Sequence, residues 1–337
     1  MIKPFKKDPL QIIAFKTYGT QKHLYLKGRA LEDEIIDLDN KGWVNILLNS
    51  WKRFETDEIR HTDLAVKLKN GLTINTKTDA EGYFFIDQPE VDVSNVVGFG
   101  EWLDYKVCYR SKKKTRKMQQ NNEFYGRMLI PSKNAGFGVI SDIDDTILHT
   151  GVTSKLKWRV VVNTLLITPN KRKALEGTAQ FYHKLHGINS EESQQLNPIF
   201  YVSNSPWNLY RYLDYFLNQN HFPEGPVLLR DFRTPYDRTV KPEIAHKYWE
   251  IFNIIQMYPH LNFVLIGDCG EKDADIYMDV VEKFPNRILA ICLRSVDHAK
   301  KMDRIESLFK NYDKVPVCIV HQSAAAEEHA RSLNLIA

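Results

Sequence analysis

Three carboxylates close a short apolar run, Phe137-Gly138-Val139-Ile140-Ser141-Asp142-Ile143-Asp144-Asp145-Thr146. Phe137, Val139 and Ile140 have the continuous apolar character of a strand covered on both faces. Carboxylates there are costly unless they are paired, hydrogen-bonded or bound to a metal. A place at the strand's C-terminal end meets that demand, because open α/β sheets leave a ligand crevice at that edge. Asp142 and Asp144 are two apart, so an extended chain turns both to one face. That arrangement suits a hard cation and a phosphate. The plain structural alternative is an acidic turn in which Asp145 or Thr146 caps a helix.

Further along the chain, similar residue types recur at the ends of predicted elements. A strand over Pro198–Val202 runs into Ser203-Asn204-Ser205-Pro206-Trp207-Asn208. Hydroxyls and backbone N–H groups at a helix start both face an anion. The ordinary reading is an N-cap with Pro206 at the first helical position. Leu261–Ile266 is another apolar strand, ending in Gly267-Asp268-Cys269-Gly270-Glu271-Lys272-Asp273. Between them a helix over Ala245–Tyr258 turns Ile251, Ile254 and Ile255 inward and carries Lys247 near its start, with Lys241 as the rival lysine. Each feature alone has a structural explanation. On successive strand ends of an alternating α/β pattern, chance explains the set poorly.

The elements that must position these residues fall into two parts. At 337 residues, two domains are expected. Up to about Ile130 the pattern is mostly period two, with strands at Gln11–Thr17, His23–Ala30, Leu64–Lys69, Leu72–Thr78, Tyr83–Ile86, Trp102–Tyr109 and Phe124–Ile130. Asn70-Gly71 is a strong hairpin signal. One helix is expected near Val44–Phe54. This spacing predicts an accessory β-sandwich domain over residues 1–131. Its run Thr76–Phe84 resembles the turn of transthyretin-like sandwich domains. Pro131–Gly136 changes the composition abruptly and marks the boundary. Residues 132–337 then alternate, with helices near Ser154–Ile167, Gly177–His186, Met302–Phe309 and Ala324–Leu333 and strands at Val227–Asp231, Ile288–Leu293 and Val317–Val320. The fold class is α/β, a Rossmann-like doubly wound parallel sheet.

Composition narrows the function classes. A hydrophobic share of 43% with 26% charged residues is that of a globular chain able to bury a core. A net charge of only +4 gives no argument for nucleic acid. Cys108, Cys269, Cys292 and Cys318 have no metal spacing, which fits reduced thiols in the cytoplasm. No leader-like core and no bilayer-length apolar run is seen, so the expectation is a soluble protein, at most peripheral to a membrane. Lys112, Lys113, Lys114, Arg116 and Lys117, and the basic helix near Ser154–Ile167, are surfaces that could rest on anionic lipid. Both also have the plainer reading of solvated or core-packed structure.

The residues resemble the haloacid-dehalogenase-like phosphatases in four parts: Asp142-Ile143-Asp144-Asp145-Thr146, Ser203, Lys247, and Gly267-Asp268 through Asp273. More narrowly, Ser141–Gly151, Tyr201–Tyr210 and His246–Tyr277 are similar to the phosphatidate phosphatase family named for a fungal actin-patch protein. That likeness runs from about Gly136 to the C-terminus. No Pro-rich tail of the kind used to recruit actin-patch partners is seen, so a simpler, bacterial-type member is expected.

The resemblance implies a Mg²⁺-dependent phosphatase using an aspartyl-phosphate. Asp142 would be the nucleophile and Asp144 the acid and base. Ser203, Asn204 and Lys247 would hold the phosphoryl group. Asp142, the Asp144 carbonyl and Asp268 would hold the metal, with Asp273 orienting water or the lysine. Asp145 is expected to be a structural cap. The implied substrate is phosphatidate. A soluble or protein-bound phosphomonoester is the alternative, and a non-catalytic lipid-binding adaptor the second.

Overall fold

The computed structural model describes residues 9–32, 58–95, 102–110, 117–144, 146–147, 169–187, 196–230 and 246–337, with side chains of the helix that begins at 169 described from 177 onward. The expected helices near Val44–Phe54 and Ser154–Ile167, together with Asp145, Lys241 and all of the basic cluster but Lys117, lie outside these residues. The chain divides into two compact units, Met1–Ile130 and Pro131–Ala337.

In the first unit the strands are β1 (Leu10–Ala14), β2 (Thr17–Tyr18), β3 (His23–Glu32), β4 (Asp63–Leu68), β5 (Thr73–Lys77), β6 (Tyr83–Pro89), β7 (Trp102–Tyr109) and β8 (Phe124–Leu129). They make two sheets, ordered β1-β3-β6 and β2-β8-β7-β4-β5. Burial alternates along β3 and β7, as period two requires of a strand with one covered face. The covered faces contribute to one cluster, with Leu24, Leu26 and Phe84 from one sheet and Leu64, Val66 and Leu103 from the other. The Asn70-Gly71 turn joins the antiparallel pair β4–β5, with Gly71 at φ +87°.

One predicted strand is corrected. Gln11–Thr17 is not continuous: β1 pairs with β3, whereas β2 pairs with β8 in the other sheet. The break falls at Phe15-Lys16, between a strand that ends at Ala14 and one that begins at Thr17.

The second unit alternates β9 (Gly138–Asp142), α1 (Pro169–His186), β10 (Ile199–Pro206), α2 (Tyr210–Gln219), β11 (Val227–Arg230), α3 (His246–Met257) and β12 (Phe263–Asp268). It continues with α4 (Asp273–Lys283), β13 (Ile288–Arg294), α5 (Ala299–Phe309), β14 (Val317–Val320) and α6 (Ser323–Ser332). The six strands form one sheet in the order β11-β10-β9-β12-β13-β14, parallel at every pair. Every residue of β9 and of β12 is buried, the pattern of central strands covered on both faces. In chain order this is 3-2-1-4-5-6, and the direction of winding reverses between β9 and β12. Strand ends diverge at such a point and leave a crevice between them. Asp142 is the last residue of β9 and Asp268 the last of β12.

Two helix starts also differ from expectation. α1 runs through Gly177 instead of beginning there, and starts with Pro169, a residue suited to a first helical turn. Pro206 is not a first helical residue. It ends β10 and precedes a short 3-10 turn, Trp207–Leu209, with extended backbone at φ −73° and ψ 152°. No helix among the described residues is long and apolar enough to cross a membrane. All four cysteines are free.

Candidate active site

Asp142 and Asp268 enter the switch-point crevice from adjacent strands, and Asp273 enters from the first turn of α4. One carboxylate oxygen from each lies within 4.8 Å of the others, and all three residues are buried. The five-residue spacing from Asp268 to Asp273 lets the chain leave β12 and turn back into α4. The Asp273 carboxylate then accepts the Asp268 backbone N–H through Oδ2 at 3.1 Å. Gly267 makes this possible. A β-carbon there would overlap Asp273 Oδ2 and come within 2.8 Å of the Tyr277 hydroxyl, which is itself anchored to the Ile266 carbonyl at 2.8 Å. The Asp268 carboxylate is held from below by its own loop, through the N–H groups of Gly270 (2.9 Å) and Glu271 (3.2 Å).

Lys247 reaches the same crevice from the first turn of α3. It is 1% exposed, a rare state for lysine that calls for paired negative charge. Its ammonium group lies 2.8 Å from Asp142 Oδ1, donates to Asp273 Oδ1, and has Glu271 Oε2 at 3.7 Å. Burial alone would lower the Lys247 pKa, but Asp142, Asp273 and Glu271 outweigh it and hold the group charged, well above its usual range. The carboxylates respond in the opposite sense. Burial raises Asp142 well above the ordinary carboxylate range against the pull of Lys247, and raises Asp273 as well. Asp268 is pushed up to about 7 by burial, then by Asp273 and Glu271.

Three buried carboxylates and one ammonium leave an excess of negative charge when all are ionised. A hard divalent cation fits this donor set, which is all oxygen and convergent. Asp142 Oδ1 faces Lys247 as an ion pair without a hydrogen bond of good geometry, so this buried oxygen keeps capacity for such an ion. Asp142 Oδ2 accepts from the Thr146 hydroxyl at 3.1 Å.

Asp144 turns elsewhere. Its Oδ2 accepts from the Ser203 hydroxyl at 2.6 Å, and Ser205 Oγ lies 3.3 and 3.4 Å from its two oxygens. The Asp142 and Asp144 side chains therefore share one edge of the sheet but not one set of partners, and the Asp144 carboxylate is not among the three clustered ones. The Ser203 and Ser205 hydroxyls, in the last residues of β10, serve Asp144 and do not cap a helix. Ser203 Oγ also accepts the Ser205 backbone N–H at 2.9 Å. Asn204 lies between them, half-buried.

From the sequence Thr146 is expected only as a candidate helix cap within the acidic motif, Ser205 only as part of the hydroxyl-rich turn, and Glu271 has no expected role; here all three touch the charged residues of the site. Ser205 has a readable signal, since it sits two residues after Ser203 on the same strand face. The thiol of Cys269 is beside this cluster, but burial and then Asp268 push it up to about 12, so it is a neutral thiol and not a nucleophile.

Residues 137–295 match the family model described as the catalytic domain of phosphatidate phosphatase APP1. A protein of Saccharomyces cerevisiae named phosphatidate phosphatase APP1 is 36% identical over 160 residues, which is 47% of this chain and 26% of the relative. An uncharacterized protein of Schizosaccharomyces pombe is 29% identical over 242 residues, 71% of this chain and 37% of the relative. The chain thus spans well under half the length of either relative. Among solved structures, ferredoxin-NADP+ reductase from Plasmodium falciparum with 2'P-AMP aligns over 84% of this chain and 98% of its own. It does so at 10% identity and a TM-score of 0.21, too low for inference. Asp142, Asp144, Ser203, Lys247, Asp268 and Asp273 all lie inside the matched stretch, so the part of the chain that carries the site is similar to the catalytic domain of phosphatidate phosphatase APP1.

Proposed function

We propose that the chain hydrolyses phosphatidate to diacylglycerol and phosphate, with Asp142 as nucleophile. The observation that carries this reading is the buried Asp142–Lys247–Asp273 ion-pair chain beside Asp268 at the end of the central strands. A carboxylate oxygen of Asp142 attacks phosphorus, and the bond from phosphorus to the lipid alcohol oxygen breaks. Asp144, protonated at that stage, gives its proton to the departing oxygen, which a poor alkoxide leaving group requires. Asp144 then takes a proton from water, whose oxygen attacks the aspartyl-phosphate. Phosphate leaves and the Asp142 carboxylate is restored. Splitting the displacement into two steps makes each easier.

Lys247 fixes the orientation of Asp142 and supplies positive charge to the phosphoryl oxygens, while Ser203 and Ser205 fix Asp144. Asn204 would contact the phosphoryl group. Asp142, Asp268 and the Asp144 carbonyl would hold Mg²⁺, with Asp273 bridging to Lys247. When bound, that ion lessens the repulsion between an anionic nucleophile and an anionic phosphate.

The same reading takes the second unit as haloacid-dehalogenase-like and the first as a β-sandwich accessory domain. It also implies a cytoplasmic protein that meets its lipid at the surface of an anionic membrane. Phosphate release from phosphatidate in vesicles, compared with a panel of water-soluble phosphomonoesters in Mg²⁺ and in EDTA, tests it. We expect turnover of phosphatidate that vesicle presentation enhances and EDTA removes. Turnover confined to soluble esters, with no effect of vesicles, would assign a soluble substrate instead.

A further inference from the structure

The outer face of the five-stranded sheet in the first unit carries a groove of about 480 Å³. Strand alternation sets its lining. Leu64, Val66, Tyr105 and Val107 turn to the core, which leaves Ala65, Lys67, Lys106 and Cys108 outward in the groove. Lys67 pairs directly with Lys106 across β4 and β7, and Arg110 adds a third cation to the lining. Like charges directly opposite one another destabilise a sheet. Glu123, the one acid among the described lining residues, lies 2.7 Å from Lys106. Among the described residues Lys67 and Arg110 make no ion pair. The fold has no use for this pairing, whereas an anion resting on the face would satisfy it.

A second observation concerns the turn that lines the same groove before β8. Gln120, Asn121 and Asn122 are three successive residues in left-handed backbone, at φ 47°, 52° and 63°. That conformation is unfavourable for any residue with a side chain, least so for asparagine. Asn122 ties the turn to the end of β7, accepting the Tyr109 N–H at 2.9 Å and donating to the Tyr109 carbonyl at 3.0 Å. The turn thereby adds the amides of Asn121 and Asn122 to the lining. Beside the groove, Tyr125 pairs with Lys106, is 64% exposed, and has that ammonium group 5.2 Å from its ring centre. Lys69 and Arg127, which share the single carboxylate of Asp104, extend the positive face beyond the groove.

We propose that this sheet face docks the chain on an anionic bilayer, with the groove seating a lipid headgroup phosphate. The inference rests on the membrane part of the reading above and names the surface that makes the contact. Charge complementarity favours a bilayer over a single small anion, because the cations continue past the groove along the sheet. An exposed tyrosine beside a lysine suits the headgroup level, where an aromatic ring has one apolar side and one wet. Each cation near such a surface strengthens the attraction, and salt screens it.

The test is co-sedimentation of the full chain with vesicles of phosphatidylcholine, alone or with about 30% phosphatidylserine, in EDTA so that binding is read without turnover. We expect binding to the anionic vesicles only, weakened as NaCl rises from about 0.1 to about 0.5 M. Lys67→Thr combined with Lys106→Thr should weaken binding at least about tenfold, and Arg110→Thr alone about threefold. Both variants should keep the wild-type melting temperature and a kcat/KM for p-nitrophenyl phosphate within about twofold of the wild type. Lys27→Thr, on the outward side of β3 in the other sheet, should bind as the wild type does. Wild-type binding by the double variant would overturn the proposal. So would a loss seen only on changing Lys112, Lys113 and Lys114 to alanine, which would assign the contact to that stretch. Capture of a single-stranded oligonucleotide with no vesicle binding would overturn it as well. If the vesicle results are as expected but phosphatidate is not cleaved, the docking face stands and the catalytic reading falls by itself.

Discussion

Lys247 is the residue on which the charge balance of the site turns. Its ammonium group is fully buried between Asp142 and Asp273, and the two carboxylates are themselves buried. Removing one partner of such a cluster leaves uncompensated charge, which costs more than the cluster contributes when intact. Lys247→Met is therefore expected to lower unfolding free energy by about 3–5 kcal/mol, measured by urea denaturation without divalent cation. A loss below about 1 kcal/mol, the scale of an exposed pair, would show that the lysine is not so enclosed. Asp144 makes a different prediction because its task is proton transfer. Asp144→Asn should slow turnover of an alkyl phosphate by about 10²-fold or more, yet slow p-nitrophenyl phosphate far less, since that leaving group departs without a proton. Equal losses on both substrates would remove Asp144 from the role of acid.

At the scale of elements, the reversal between β9 and β12 gathers the carboxylates, and the β12–α4 connection sets their spacing. Gly267 is the tight point, because its missing side chain is what admits Asp273 Oδ2 and the Tyr277 hydroxyl. Gly267→Ala is expected to destabilise the fold by about 1–3 kcal/mol, as overpacking does, and to reduce activity at least tenfold. The companion measurement is the rise in melting temperature on adding Mg²⁺, which should shrink in the variant. A variant with full activity and an undiminished Mg²⁺ effect would mean that Asp273 can move without consequence.

Much of this arrangement is legible in the sequence because parallel sheets bury both strand faces. β9 and β12 read as continuous apolar runs, and the acids that end them stand out. The alternation along β3 and β7 is equally plain. The break between β1 and β2 is not, since a two-residue interruption leaves Gln11–Thr17 reading as one slightly irregular strand.

For the whole molecule, the sequence gives an order of elements but not which strand ends meet. Asp142 and Lys247 are far apart in the chain, and only the strand order β10-β9-β12, with α3 leading into β12, brings them to 2.8 Å. The same limit hid the turn of the Ser203 and Ser205 hydroxyls toward Asp144. A strand followed by small polar residues is equally compatible with a helix cap, and the deciding partner lies about sixty residues earlier.

The central claim is that Asp142, held by Lys247 and Thr146, is the group that accepts the phosphoryl. Asparagine at this position keeps the size and the Thr146 contact while removing the nucleophilic charge. The most direct measurement is phosphate release from dioctanoyl phosphatidate in Mg²⁺ by the wild type and by Asp142→Asn, with both confirmed as folded. The account predicts a fall of at least about 10³-fold in kcat for the variant. Equal rates in the two proteins would contradict it.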